Sequence, residues 1–162
     1  MSEELKKELE RRAKEEALLC FDHFSNEDAL ALGLKVVEKA KERGVSVAVG
    51  IDINGTEMFH YTMTGASQRL GMWVKRKQNT VRETWISTYH VHQQLIRDGK
   101  DLWKNWRLND VEYGSIGGGF PIILKGTGVV GSVACSGLPH EEDHQLLIDA
   151  LCDMLGVDLD AE

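Results

Sequence analysis

Residues 45 to 53 alternate strictly between two kinds of side chain. Valine and isoleucine take the odd positions, whereas serine, alanine, glycine and aspartate take the even ones. This period of two is that of a β-strand. The dipeptide Asn54-Gly55 follows at once and is typical of a two-residue hairpin turn. We therefore expect an antiparallel hairpin whose second strand begins at Thr56.

The register of this hairpin predicts how the sheet is covered. A two-residue turn pairs Ile51 with Met58 and places Phe59 and Tyr61 on the other face, over Gly50 and Ala48. Both faces of the sheet are then apolar, so helices must lie above and below it. The expected architecture is therefore a three-layer α/β/α domain.

Patterns typical of helices and of two further strands occupy the rest of the chain. Helices are predicted at 2–20, from the capping box Ser25-Asn26-Glu27-Asp28 to Gly44, at 70–97 as one long helix or two, and from Pro139 to Leu155. Strands are predicted at 120–125 and 129–135. We expect a charged N-terminal helix (1–22), a single domain (23–156) and a short acidic tail (157–162).

The charge and the cysteines exclude several classes of protein. A net charge of -7 disfavours nucleic-acid binding, which needs a basic face. No window reaches the roughly 20 apolar residues of a membrane span, and the N-terminus carries no signal segment, so a cytosolic protein is expected. Cys20, Cys135 and Cys152 are widely spaced, which favours buried free thiols over disulfides.

Glycines mark a candidate site. The stretch from Tyr113 to His144 contains eight of the sixteen glycines, including the run Gly117-Gly118-Gly119. This run precedes a strand, so it does not match the dinucleotide-binding fingerprint. It is either a bulge or turn that enters the strand or a loop that a ligand approaches closely.

A basic segment runs from Trp73 to Arg82 and includes Lys75, Arg76 and Lys77. Such a cluster can hold carboxylates or phosphates through charge-assisted hydrogen bonds. The alternative is a solvated helix face or a layer of salt bridges between subunits.

The start of the last helix matches the zinc-protease pattern H-E-x-x-H at His140-Glu141-Glu142-Asp143-His144. Its context argues against a zinc site, because the motif follows Pro139 directly and few residues remain for a third ligand. The acidic first turn also complements the helix dipole. No metal site is therefore predicted. Glu142, Asp143 and His144 are still candidates for acid–base catalysis, and Cys135 is the thiol that we would test for redox reactivity.

Four strings carry a resemblance to a known family. They are Arg76-Lys77-x-Asn79, Gly117-Gly118-Gly119-Phe120-Pro121-Ile122, Gly128-Val129-Val130-Gly131 and Ser136-Gly137-Leu138-Pro139-x-Glu141-Glu142-Asp143-His144. Over residues 20 to 156 the chain resembles the haem-degrading-domain family, which includes GlcG-like and secreted haem-binding proteins, and it is most similar to the small cytosolic branch.

The resemblance implies the α+β class, as a three-layer α/β/α, profilin-like (GlcG-like) fold with a central antiparallel sheet of about five strands. It also implies assembly into rings or other homo-oligomers, and binding of haem or another tetrapyrrole. Ile116 and Ile86 stand where this branch often has histidine, which leaves His144 as the imidazole that the resemblance supports best.

These observations lead to three functional hypotheses. The first is a homo-oligomer that binds haem or another planar anionic small molecule. The second is a structural or adaptor oligomer without enzymatic activity, and the third is a redox or hydrolytic enzyme. The expected ligand-binding residues are Arg76, Lys77, Asn79, Gly117, Gly118, Gly119, Phe120, Ser136, Gly137 and His144.

Overall fold

The computed structural model describes residues 1–161 of the chain, so Glu162, the last residue of the expected acidic tail, lies outside the described part. The helices are α1 Glu3–Leu18, α2 Asn26–Glu42, α3 Gln68–Thr84, α4 Thr88–Asp98, α5 Leu102–Trp106 and α6 His140–Leu155. The strands are β1 Ala48–Ile53, β2 Thr56–Thr62, β3 Gly119–Leu124 and β4 Gly128–Ser136.

One antiparallel sheet with the strand order β2-β1-β4-β3 forms the middle layer. Helices α2 and α6 cover one face, where Val49 and Ile51 of β1 join the main core. Helix α3 covers the other face, and Gly50 leaves room there for Val74. The predicted α+β class with three α/β/α layers is confirmed.

The register of the first hairpin differs from the prediction. Ile51 pairs with Phe59, and a bulge between Ile51 and Asp52 leaves Met58 as an extra residue in β2. A one-residue shift moves every side chain to the opposite face. Phe59 therefore packs against Gly33 of α2, and the prediction that Phe59 lies over Gly50 was wrong.

The sheet has four strands within the described residues, one fewer than the resemblance implies. The outer edge of β3 meets a single residue: Phe21 donates its N–H to the carbonyl of Ile123 (2.8 Å) and accepts from the N–H of Lys125 (2.9 Å). The chain then turns away into α2, which begins at the predicted capping box of Ser25 and Asp28. One bridging residue is too short to form a fifth strand.

The segment predicted as one long helix or two is two helices. Helix α3 ends at Trp85, whose backbone is left-handed with φ 62°, and the Ser87 side chain caps the start of α4. Helix α6 ends at Gly156, as predicted.

Helix α1 covers the edge of the domain beside α4, and its contacts are largely polar. Its buried side chains are Arg12 and Glu15, which contact residues of α4 and α6. None of the helices within residues 1–161 is long and apolar enough to cross a membrane.

Candidate functional site

A hollow of about 490 Å³ lies between the first half of α3 and the start of α6. Its lining residues are Arg69, Leu70, Trp73, Lys77, Ile116, Ser136, Gly137, Leu138, His140 and Asp143. These residues belong to α3, to the loop before β3 (Ile116) and to the segment from the end of β4 into α6, which are far apart in sequence. The sheet brings them together. Apolar side chains form much of its wall, and polar groups lie at its floor.

A buried ion pair forms this floor. Lys77 is fully buried, and its ammonium donates to the Cys135 carbonyl (2.8 Å) and to Asp143 Oδ2 (3.1 Å). The other oxygen of Asp143 accepts from the N–H of Leu138 (3.1 Å). Burial raises the pKa of Asp143, although Lys77 opposes this shift. The positive charge of Lys77 is thus committed to Asp143 and fixes the start of α6 against β4.

The glycine run makes room for this pair and for α6. Gly118 has φ 120°, and a Cβ atom there would lie 2.6 Å from Lys77 Nζ. A Cβ at Gly117 would lie 2.3 Å from the carbonyl oxygen of His140. Any side chain would displace these groups, so the glycine run permits the close approach of other parts of the protein. This role differs from the two expected ones, a bulge or turn and a loop that a ligand approaches.

The imidazole of His140 lines the hollow in a defined tautomer. Its Nδ1 accepts a hydrogen bond from the N–H of Gly117 (3.0 Å), so the proton of the neutral ring is on Nε2, 3.0 Å from Glu141 Oε1. Burial lowers the pKa of His140, which favours this neutral form. A protonated Nε2 cannot ligate iron, so His140 could do so only by breaking its bond to Gly117.

His144 faces α1 and does not line the hollow. It is 1% exposed, and its Nε2 lies 2.9 Å from Glu15 Oε1. Burial lowers the pKa of His144, although Glu15 opposes this shift, and this favours a neutral ring that donates to Glu15 through Nε2. Burial alone would raise the pKa of Glu15, but hydrogen bonds from His144 and Arg12 lower it. His144 Nδ1 has no hydrogen-bond partner within residues 1–161.

The two imidazoles of the H-E-x-x-H match therefore contact different groups, Gly117 for His140 and Glu15 for His144. No group of three His, Cys, Asp or Glu side chains within the described chain is arranged to hold a metal ion. The third catalytic candidate, Glu142, is exposed, and Asp143 pairs with Lys77, so the three candidates do not converge on one point.

The structure brings only part of the expected ligand site together. Lys77, Ser136 and Gly137 line the hollow, and Gly118 lies against Lys77. The other expected residues are Arg76, Asn79, Gly117, Gly119, Phe120 and His144, and none of them lines it.

Each of these six has another environment. Arg76 Nε donates to the Val111 carbonyl (2.9 Å) and Asn79 Nδ2 to the Glu112 carbonyl (2.8 Å). Phe120 is fully buried in the core. Gly119 donates its N–H to the Thr88 hydroxyl (2.9 Å), and Gly117 and His144 have the contacts given above. Helical periodicity explains why Arg76 and Lys77 separate, since neighbouring residues occupy different helix faces.

The expected ligand-binding residues did not include Arg69 or Trp73, although Trp73 begins the basic segment. Together with Lys77 they repeat every four residues, so they lie along one face of α3. This spacing was a usable signal. The burial of Glu15 against His144 left no such signal, because the two residues are 129 positions apart.

Cys135 is buried, and its thiol donates to the Asp143 carbonyl (3.2 Å). Burial raises the pKa of Cys135 well above its ordinary value, which makes a reactive thiolate unfavourable. Cys20 and Cys152, in contrast, are half-buried, and all three thiols are free.

Comparison with known proteins adds the family. Residues 24–152 match the family model described as haem degrading protein HbpS-like. A UPF0303 protein of Pseudomonas entomophila is 40% identical over 154 residues, which cover 95% of this chain and 86% of that protein. A UPF0303 protein of Azotobacter vinelandii is 40% identical over 151 residues, with 93% and 91% covered.

Solved structures share the fold. The protein Ybr137w superposes with a TM-score of 0.84 at 24% identity and covers 91% of this chain and 87% of its own. A structure described as a PduOC–heme complex has a TM-score of 0.69 at 22% identity, with 80% and 93% covered. HbpS itself has a TM-score of 0.67 at 22% identity, with 83% and 92% covered. The family model over residues 24–152 and the relatives at 40% identity show that the chain belongs to the HbpS-like family of haem-degrading proteins.

Proposed function

We propose that this protein binds a planar anionic small molecule, a tetrapyrrole such as haem, in the hollow between α3 and α6. The observation that carries the proposal is the hollow itself, which combines about 490 Å³ of space with an indole, aliphatic walls and a cation. Pockets for small ligands have this size and this mainly apolar lining. The family description and the heme complex of PduOC support the same ligand class.

The walls suit a flat apolar ring system. Leu70, Ile116 and Leu138 present aliphatic surface, and Trp73 presents an indole ring. The guanidinium of Arg76 lies 4.7 Å from the centre of the Trp73 ring and holds that ring by a cation–π contact. Arg76 thus acts on the site through Trp73 and not by direct contact with the ligand.

The charge of the hollow favours an anion. Lys77 and Asp143 neutralise each other at the floor. Arg69 is exposed, lines the hollow, and is not paired with a carboxylate within residues 1–161. Its guanidinium is the group that would bind a propionate or a similar carboxylate.

The lining residues fit the macrocycle and the carboxylates of haem better than they fit its iron. His140 is the imidazole in the hollow, and its Nδ1 is engaged with Gly117 in the tautomer that protonates Nε2. Iron would supply redox chemistry when bound, but binding itself should rest on Trp73, the aliphatic walls and Arg69.

Titration with haem and with iron-free protoporphyrin IX tests this proposal. Both should bind saturably, with dissociation constants within about threefold of each other. Arg69→Ala should weaken both by about fivefold, or roughly 1 kcal/mol for an exposed charge pair. The matched control is Lys75→Ala, which removes an exposed cation from the same helix outside the hollow.

Absence of saturable binding by either compound, or equal effects of the Arg69 and Lys75 substitutions, would contradict the proposed site. Haem binding without protoporphyrin binding would show that an iron ligand dominates, and this would overturn the argument from the His140 tautomer.

We also propose that the protein assembles with copies of itself. Strand β2 is a sheet edge within the described residues, and Tyr61 on this strand and Leu34 on α2 are exposed beside it. Such an edge is a template for pairing with another strand. Light scattering should show an oligomer that Tyr61→Lys weakens, and a monomer at every concentration would contradict this.

A further inference from the structure

A second hollow lies at the other end of α3, where its last turn passes over the β1–β2 turn. It measures about 290 Å³ and is lined by Asp52, Asn54, Gly55, Arg82, Trp85, Val129, Val130, Gly131 and Ser132. It shares no lining residue with the first hollow. Its volume is just below the usual range for ligand pockets, which suits one bicyclic ring as the part of a ligand that enters it.

A buried carboxylate lines this second hollow. The Asp52 side chain is only 8% exposed, and its Oδ2 accepts from the N–H of Gly55 (2.9 Å). Its Oδ1 accepts from the hydroxyl of Ser132. These two bonds fix the plane of the carboxylate and leave lone pairs on both oxygens. A carboxylate fixed in this way is suited to receive two adjacent N–H donors.

An exposed indole lines the same hollow. Trp85 is 65% exposed, although its backbone is left-handed, with φ 62°. Glycine or asparagine is usual at such a helix end, because other side chains are strained there. Burial in the core does not explain this tryptophan, whereas stacking on a flat ring would.

Arg82 completes the lining. Its guanidinium nitrogen lies 3.6 Å from Asp52 Oδ2, and half of its side chain is exposed. Planar guanidinium groups stack on heterocycles as aromatic side chains do. The hollow therefore offers two stacking groups and one acceptor pair.

We propose that this hollow binds a planar nitrogen heterocycle with two adjacent N–H donors, namely the 2-amino-4-oxopyrimidine ring that guanine and pterins share. The ring stacks on Trp85, and its ring N–H and exocyclic amino group donate to Asp52. Paired donors of this kind discriminate strongly between heterocycles, because a methyl group or a carbonyl at either position faces the carboxylate without a hydrogen bond.

Calorimetric titration with guanosine and with pterin tests the assignment and separates the two sources of the ring. At least one of them should bind saturably below about 1 mM. N1-methylguanosine, which lacks one donor, should bind at least about tenfold more weakly than guanosine. Trp85→Leu should weaken binding by about tenfold, whereas Trp103→Leu, at another exposed tryptophan outside the hollow, should leave it unchanged.

Asp52→Asn provides a test that a loss of folding cannot imitate. An asparagine amide offers one donor and one acceptor, so the variant should lose about tenfold in affinity for guanosine and gain affinity for xanthosine, whose 2-carbonyl accepts a hydrogen bond. The proposal is overturned if neither guanosine nor pterin saturates the protein, if N1-methylguanosine binds as well as guanosine, if both tryptophan variants behave alike, or if Asp52→Asn does not shift preference towards xanthosine.

Discussion

Replacing Lys77 with methionine should strongly destabilise the protein. The ammonium is fully buried and donates to the Cys135 carbonyl (2.8 Å) and to Asp143 (3.1 Å), whose side chain is 2% exposed. Methionine fills a similar volume but leaves a buried carboxylate without its counter-charge. Breaking a buried pair on one side typically costs about 3 to 5 kcal/mol. A domain of this size is stable by about 5 to 15 kcal/mol in total, so the loss is a large share.

Urea unfolding followed by circular dichroism measures this loss. With a slope of about 2 kcal/mol per molar urea, the midpoint should fall by about 2 M. Lys75→Met changes an exposed lysine on the same helix and should shift the free energy of unfolding by less than about 0.5 kcal/mol. Asp143→Asn keeps the acceptor for Leu138, and in combination with Lys77→Met it should cost about 1 to 3 kcal/mol less than the sum of the single changes.

The pH dependence of Lys77→Met gives a second readout. Burial already raises the pKa of Asp143 in the folded protein, and loss of Lys77 should raise it further. The folded variant then binds a proton that the unfolded chain has released. The contribution of protonated Asp143 to the free energy of unfolding is therefore fully present below the ordinary pKa of an aspartate and is lost as pH rises through the higher folded pKa. The deficit relative to the native protein should be larger at pH 8 than at pH 5. A midpoint within 0.3 M of the native value, or a deficit that grows towards acid, would refute the reasoning.

Three further predictions follow from other contacts, each measurable by denaturation. Gly117→Ala should lower the free energy of unfolding by about 2 to 4 kcal/mol, because the new Cβ would lie 2.3 Å from a backbone oxygen. Gly44→Ala is the control: its Cβ would enter open space, so only the strain of the positive φ should appear, about 1 kcal/mol. Equal losses would contradict the packing argument. Trp85→Gly should stabilise the protein by about 0.5 to 1 kcal/mol, since glycine relieves the left-handed strain; destabilisation would argue against that strain. Burial lowers the pKa of His144 in the folded protein, so its contribution to folding stability is present above the ordinary histidine pKa and is lost as pH falls from that value through the lower folded pKa. His144→Gln can still donate to Glu15 but does not titrate, so it should reduce the loss of stability between about pH 7 and 5. An unchanged pH profile would show that His144 does not titrate on unfolding.

Local patterns in the sequence were sufficient for the architecture. Strict alternation at 45–53, the Asn54-Gly55 turn and the capping box at Ser25 each act over a few residues, so their geometry follows from nearby sequence alone. Helices do cover both faces of the sheet, as expected, but the expectation rested on a register that placed Phe59 over Gly50. In the structure Phe59 packs against α2, and Ala48, Val74 and Ala134 form the apolar contact beneath α3. The motif strings predicted the family, and the family model confirms it.

The candidate site was only partly accessible from sequence. Lys77, Ser136 and Gly137 line the hollow, whereas six other expected residues of the same motifs do not, because a motif does not reveal which face of its element each side chain occupies. Arg76 was expected beside Lys77, but a helix turns about 100° per residue and carries it to another face. Phe59 lies on the opposite face of the sheet from the predicted one because Met58 forms a bulge in β2. The hairpin pattern in the sequence does not indicate this bulge.

The sequence by itself determined which segments form strands and helices and where several of the helices end, since these depend on backbone preferences and on the period of apolar side chains. Only the tertiary structure decided which charges meet. Lys77 and Asp143 are 66 residues apart, and Glu15 and His144 are 129 apart. Their pairing depends on how whole elements pack, because a buried charge is stable only where a distant segment supplies its partner.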